Sequence, residues 1–102
     1  VPMMYRVVVA AALLMSGSVA FADPAIDAKY ERSCKLCHAT GLLNAPKTGD
    51  AAAWEARLAQ GDEVVLKHIK DGFNQMPPKG TCMDCTDEEF LALTKKMATA
   101  AQ

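Results

Sequence analysis

Residues 34 to 38 read Cys34-Lys35-Leu36-Cys37-His38, and the rest of the chain is best read outward from this stretch. On a helix the two thiols stand about one turn apart, and the histidine follows the second directly. Sulfurs at that separation match the two vinyl groups of a haem, each of which takes one sulfur as a thioether, and the adjacent imidazole is then carried under the iron. A neutral imidazole is a good iron ligand, and covalent tethering beside it holds the cofactor without a large enclosing pocket. The competing reading, a structural or redox cysteine pair, leaves the placement of His38 to chance.

A sixth iron ligand is sought among Met76, Met83 and Met97. Met97 falls on the apolar stripe of a C-terminal helix, where core packing is its expected role, and Met83 is confined between Cys82 and Cys85. Met76 stands in an irregular segment. Pro77 and Pro78 after it fix φ and forbid a helix, so a stiff extended stretch presents the sulfur. His68 is the other candidate, since a second imidazole would make a bis-histidine iron; its position beside Ile69 and three after Val65 also suits a half-buried packing residue.

Cys82-Met83-Asp84-Cys85 is a second cysteine pair without a following histidine. A local Cys82–Cys85 disulfide is the default in an oxidising compartment once Cys34 and Cys37 are engaged as thioethers. Two alternatives stand beside it. Two C-x-x-C pairs also form a zinc pattern, and a lone pair is also a redox dithiol, although no βαβ pattern surrounds this one.

The compartment is read from the other end of the chain. Overall 51% of the 102 residues are hydrophobic and 23% charged, which is ordinary, but 17 of the first 22 are apolar. Arg6 precedes an unbroken apolar run, Val7 to Met15, and Ala20-Phe21-Ala22 precedes Asp23. Nine helical residues span about 14 Å, well short of a bilayer core. Residues 1–22 are therefore expected to be a secretory signal peptide cleaved after Ala22, with a retained N-terminal anchor as the alternative. Residues 23–102 then form one domain with 10 basic and 12 acidic residues. Without a basic stripe no nucleic-acid partner is implied, and after cleavage no stable membrane insertion is expected. Eighty residues are near the size at which an apolar core alone suffices, so a cofactor or disulfide helps to complete it.

The pattern of that domain is all-α. Asp23 caps and Pro24 opens a first helix reaching about Cys37, with Ile26 and Tyr30 on one side. A loop over 39–49 follows, in which Leu42 and Leu43 are expected to lie against something. Asp50 caps a helix over 51–60 bearing Trp54 and Leu58, and Gly61 stops it. Asp62 opens a third helix over 63–71, ended by Gly72. Thr86-x-x-Glu89 is a capping box for a last helix reaching about Ala100, with Phe90, Leu93 and Met97 as its stripe.

With these motifs in place the chain resembles the class I c-type cytochromes, in particular the short bacterial cytochrome c5 subgroup. The carriers are CKLCH at 34–38, NAPKTGD at 44–50 with the AAAW that follows, KDGFNQMPPKG at 70–80 and the CMDC pair. The resemblance implies a small cytochrome c fold of four to five helices around one covalently attached haem c. It makes Cys34 and Cys37 the thioether residues, His38 and Met76 the axial ligands, and Cys82 with Cys85 a disulfide. Pro46 matches the loop proline whose carbonyl accepts a hydrogen bond from the axial imidazole, and Trp54 and Arg57 are offered as propionate neighbours, with core packing as the equal alternative for Trp54.

The function expected is that of an exported, periplasmic electron carrier rather than an enzyme, a monomer that docks transiently with a donor reductase and an acceptor oxidase or reductase. Lys35, Lys47 and Lys79 stand near the motifs and are candidates for a ring of charge around an exposed haem edge. An open or labile sixth site would instead make the chain a ligand sensor or a peroxidase-like enzyme, and a zinc site would make it a structural module.

Overall fold

The computed structural model describes residues 23–99, so the expected signal peptide lies outside the described residues. Asp23 accepts a hydrogen bond from the Ala25 amide at 2.9 Å and Pro24 takes the first turn, which starts α1 (Pro24–Lys29). The helix does not continue regularly. Over Tyr30–Cys34 it widens into a π turn in which the Lys35 amide bonds to the Tyr30 carbonyl, and α2 (Lys35–His38) follows. The expected single helix is thus continuous but changes its winding in the middle. The wide turn lets Ile26 and Tyr30 face the core while Cys34, Cys37 and His38 turn to a neighbouring cavity.

Two further helices follow the 39–49 loop. Asp50 caps α3 (Ala51–Leu58) through the Ala53 amide, and α3 ends two residues before the expected Gln60 because its last carbonyls are taken by the turn that leads to Gly61. Gly61, at φ 92°, is the N-cap of α4 (Asp62–Asp71), so Asp62 belongs to the first turn rather than preceding it. There its charge favours the amide-rich helix end.

The capping box of α5 (Asp87–Ala98) is reciprocal: Glu89 N–H donates to Thr86 Oγ1 at 3.2 Å, and Thr86 N–H to Glu89 Oε1 at 3.0 Å. Within the described residues α5 ends at Ala98, because Thr99 is extended.

The core lies where α1 and the π turn meet α5. Ile26 and Tyr30 pack with Phe90, Leu93 and Met97, joined by Trp54 from α3 and by Cys82. Leu93 and Cys82 are each 1% exposed, and burying a side chain as large as Leu93 contributes about 1.5–3 kcal/mol. The part-buried pair Lys29–Glu89 and the more exposed pair Lys96–Asp27 bridge the same two helices at the edge of the core, and solvent screening leaves the second a minor part. No strand occurs among the described residues; a single two-residue bridge joins Phe73 and Met76. No described helix is long and apolar enough to cross a membrane.

Candidate functional site: a cavity between the CKLCH helix and the Met76 hairpin

A cavity of about 750 Å³ separates α2 from the segment carrying Met76, within the range of roughly 300–1,000 Å³ that small-molecule and cofactor sites occupy. Cys34, Cys37, His38 and Met76 all line it, with Trp54, Phe90, Leu93 and Met97 supplying apolar wall.

His38 is buried, and its Nδ1 donates to the Pro46 carbonyl at 2.8 Å. The Trp54 ring packs against the imidazole, centroid to centroid 5.3 Å. Burial holds His38 below the ordinary histidine range; the Pro46 carbonyl pulls the other way, and the Arg57 charge adds to the depression. A neutral ring whose Nδ1–H is engaged carries its lone pair on Nε2.

The loop that delivers Pro46 is fastened at both ends. Thr48 N–H donates to the His38 carbonyl at 2.7 Å, Gly49 N–H to Met97 at 2.8 Å, and the Trp54 indole to Lys47 at 2.9 Å. The Tyr30 hydroxyl meets Thr48 Oγ1 at 2.9 Å, a tie that sequence reading missed. Trp54 thereby spends its one N–H on backbone and is buried in the core cluster, the packing role that stood beside a propionate contact as its alternative. Arg57 gives one N–H to the Ala53 carbonyl, keeps others, and lines the cavity.

Cys34 and Cys37 are free thiols, both partly buried, although a C-x-x-C pair is also a disulfide pattern. Burial pushes the Cys34 thiol above its usual range until the sulfur is alkylated. Cys82 and Cys85 are joined by a disulfide. Among the described residues the group of potential metal-binding side chains formed by Cys82, Asp84 and Cys85 includes neither Cys34 nor Cys37, so the four cysteines do not gather around a zinc ion.

Met76 sits in a hairpin closed by two backbone bonds with Phe73, at 2.9 and 3.1 Å. Phe73 in turn stacks on His68 with centroids 4.1 Å apart. His68 and Met76, linked through Phe73, both line the cavity, as does His38. Met83 is 71% exposed and Met97 buried in the core. Leu42 and Leu43 line the cavity yet remain about half exposed. Of the three lysines near the motifs only Lys79 lines it; Lys35 is paired with Glu31, and the Lys47 stem lies over Gly41.

A thioether, an imidazole nitrogen and two thiols around an apolar cavity are the donor set of a covalently held haem. The comparisons with known proteins agree. Residues 22–95 match the family model described as Cytochrome C oxidase, cbb3-type, subunit III. Cytochrome c5 of Azotobacter vinelandii is 53% identical over 73 residues, covering 70% of this chain and 84% of that protein.

The chain is a class I c-type cytochrome of the c5 type.

Two solved structures resemble this cytochrome in fold and sequence. A mono-heme ferrocytochrome c from Shewanella putrefaciens is 43% identical, with a TM-score of 0.65 over 74% of this chain and 94% of that one. A chain from the crystal structure of an electron transfer complex of nitrite reductase with cytochrome c is 38% identical, with a TM-score of 0.65 over 74% of this chain and 93% of that one. The cytochrome is all-α and carries one c-type haem, as the motif and the resemblance implied.

Proposed function

We propose that this cytochrome is an exported single-electron carrier whose haem is tethered by Cys34 and Cys37 and ligated axially by His38 and Met76. The observation that supports this most is the placing of the buried His38 imidazole and the Met76 hairpin around one apolar cavity. The bound haem supplies the one-electron couple. Pro46 keeps the Nδ1 proton of His38 in place so that Nε2 is offered as a ligand, and raises its basicity. Trp54, Phe90 and Leu93 exclude water. A soft thioether and an apolar wall both favour the reduced state and raise the potential. With two strong protein ligands no position is left for oxygen or peroxide, which sets this reading apart from a sensor or an enzyme.

Transient docking belongs to the same proposal. Leu36 is 77% exposed beside the two thioether cysteines, and Leu42 and Leu43 extend the apolar surface. A relative solved in complex with nitrite reductase supports a redox enzyme as the class of partner. A small apolar face with few charges gives fast, weakly steered and short-lived encounters, which suit a monomeric shuttle. We further propose that residues 1–22 are removed on export to the periplasm; mass spectrometry of the secreted protein should find Asp23 at its N-terminus.

The deciding experiment is the absorption spectrum of the oxidised holoprotein. A weak near-infrared band from sulfur-to-iron ligation, lost in Met76→Ala, supports the carrier. A low-spin haem without the band transfers the sixth position to His68, and a high-spin haem replaces the carrier with an open-site protein.

A further inference from the structure

Two glycines pack against Met76, and they differ in what they meet. A Cβ on Gly72 would stand 3.0 Å from the Met76 carbonyl oxygen and 3.1 Å from the Pro78 nitrogen, both backbone atoms, so Gly72 sets the path of the hairpin. A Cβ on Gly80 would stand 3.1 Å from the Met76 Cε methyl. The end of a methionine side chain ordinarily swings aside at little cost, because three rotatable bonds share the motion. That freedom disappears once the sulfur is held by a metal. The contact made by bulk at position 80 is therefore relieved while the sulfur is free and opposed when it is bound, over and above the backbone strain that φ 53° imposes in both states.

The backbone behind that methyl is stiff. Gly80 N–H donates to the Pro77 carbonyl at 3.0 Å, and Cys82 N–H to Lys79 at 2.9 Å. Lys79, Gly80 and Thr81 take φ of 60°, 53° and 65°, a conformation that side-chain-bearing residues adopt only when their surroundings over-determine it. The segment ends at Cys82, 1% exposed in the core and bonded to Cys85, so its far end is anchored.

We propose that Gly80 is a positioning residue for the Met76 ligand: its absent side chain leaves the space occupied by the ligating methionine's methyl, and the anchored Pro78–Thr81 turn keeps that space at one depth. A thioether sulfur has two lone pairs, and where its methyl lies decides which of them faces the metal. Gly80 thus selects one orientation of the ligand. This inference rests on Met76 being the axial ligand.

The test compares holoprotein carrying Gly80→Ala with holoprotein carrying Gly61→Ala. Gly61 also has a positive φ, 92°, but nothing lies within 4 Å of a Cβ placed there, so it reports backbone strain without the contact. Gly80→Ala is expected to shift or weaken the near-infrared band of the oxidised protein and to raise its affinity for added imidazole about tenfold. Gly61→Ala should change thermal stability alone. In a Met76→Ala background the Gly80 substitution should no longer affect imidazole affinity, since the two act as one unit. If both glycine variants leave the wild-type band and imidazole affinity unchanged, the inference is overturned. If the wild type itself lacks the band, the ligand assignment fails first. Should Gly80→Ala not accumulate with haem, proton NMR of the wild-type ferrous protein decides: a nuclear Overhauser contact between the Met76 methyl and the Gly80 α protons supports the proposal, and its absence overturns it.

Discussion

The Nδ1 of His38 lies 2.8 Å from the carbonyl oxygen of Pro46, and the residues just after Pro46 are bonded to α2 through Thr48 and to α5 through Gly49. The tautomer of the histidine is therefore set by a segment tied to both ends of the fold. A change in the packing of α5 reaches the imidazole through these bonds as well as through the cavity wall that Phe90, Leu93 and Met97 form.

Pro46→Ala should loosen that tie without removing the carbonyl. Loss of the fixed φ costs about 0.4–1 kcal/mol of stability through the unfolded chain. A more mobile acceptor leaves the imidazole less basic, which favours ferrous over ferric haem, so the midpoint potential is expected to rise. Spectroelectrochemical titration beside urea unfolding checks both effects; an unchanged potential with reduced stability would confine Pro46 to a structural part.

Cys34→Ala and Cys37→Ala should each yield protein that retains haem through one remaining thioether. Acid–acetone extraction and intact-mass measurement should find the haem covalent in both single variants and extractable only in the double variant. A single substitution that frees all the haem would contradict attachment through both sulfurs.

Much of this arrangement was legible in the sequence because chemistry imposed it on neighbouring positions. The C-x-x-C-H spacing, the Thr86 capping box and the stripe of Phe90, Leu93 and Met97 are local patterns, and each is where it was expected. The π turn over Tyr30–Cys34 was not legible, because no residue there demands it. It arises where one helix must serve both the core and the cavity. The partner of the Trp54 indole was not legible either: its N–H is taken by the Lys47 carbonyl, seven residues earlier, through a loop path that spacing does not reveal. The Gly80 contact with Met76 carried one faint signal, a glycine four residues after the methionine, with nothing to say that a methyl would fill the space.

Removing the disulfide with Cys82→Ala and Cys85→Ala should destabilise the holoprotein by about 2 kcal/mol on the chain-entropy model for so short a loop. The loss of the buried Cys82 sulfur from the core adds to this. Urea unfolding of the holoprotein measures it. A loss under about 0.5 kcal/mol would mean that Arg32 and Lys29, which bind the same loop through Asp84, hold it without the covalent link.

Acid should open the molecule from that same loop. Arg32 donates to Asp84 at 2.8 Å, and Lys29 pairs with Glu89, so hydrogen bonds from these cations hold both carboxyls below the usual carboxylate range. Groups depressed in this way stabilise the fold above the carboxylate range, where the unfolded chain is also ionised. That stabilisation disappears as the pH falls below about 4 through their lower folded values. Urea midpoints measured against pH should therefore drop in the wild type over this window. Asp84→Asn should start lower at neutral pH, fall less steeply, and converge on the wild type once the carboxyls are protonated. Asp84 and Arg32 are both exposed, so the difference should shrink in high salt. Parallel curves for the two proteins would show that the Arg32 bridge contributes nothing to holding the π turn against the disulfide loop.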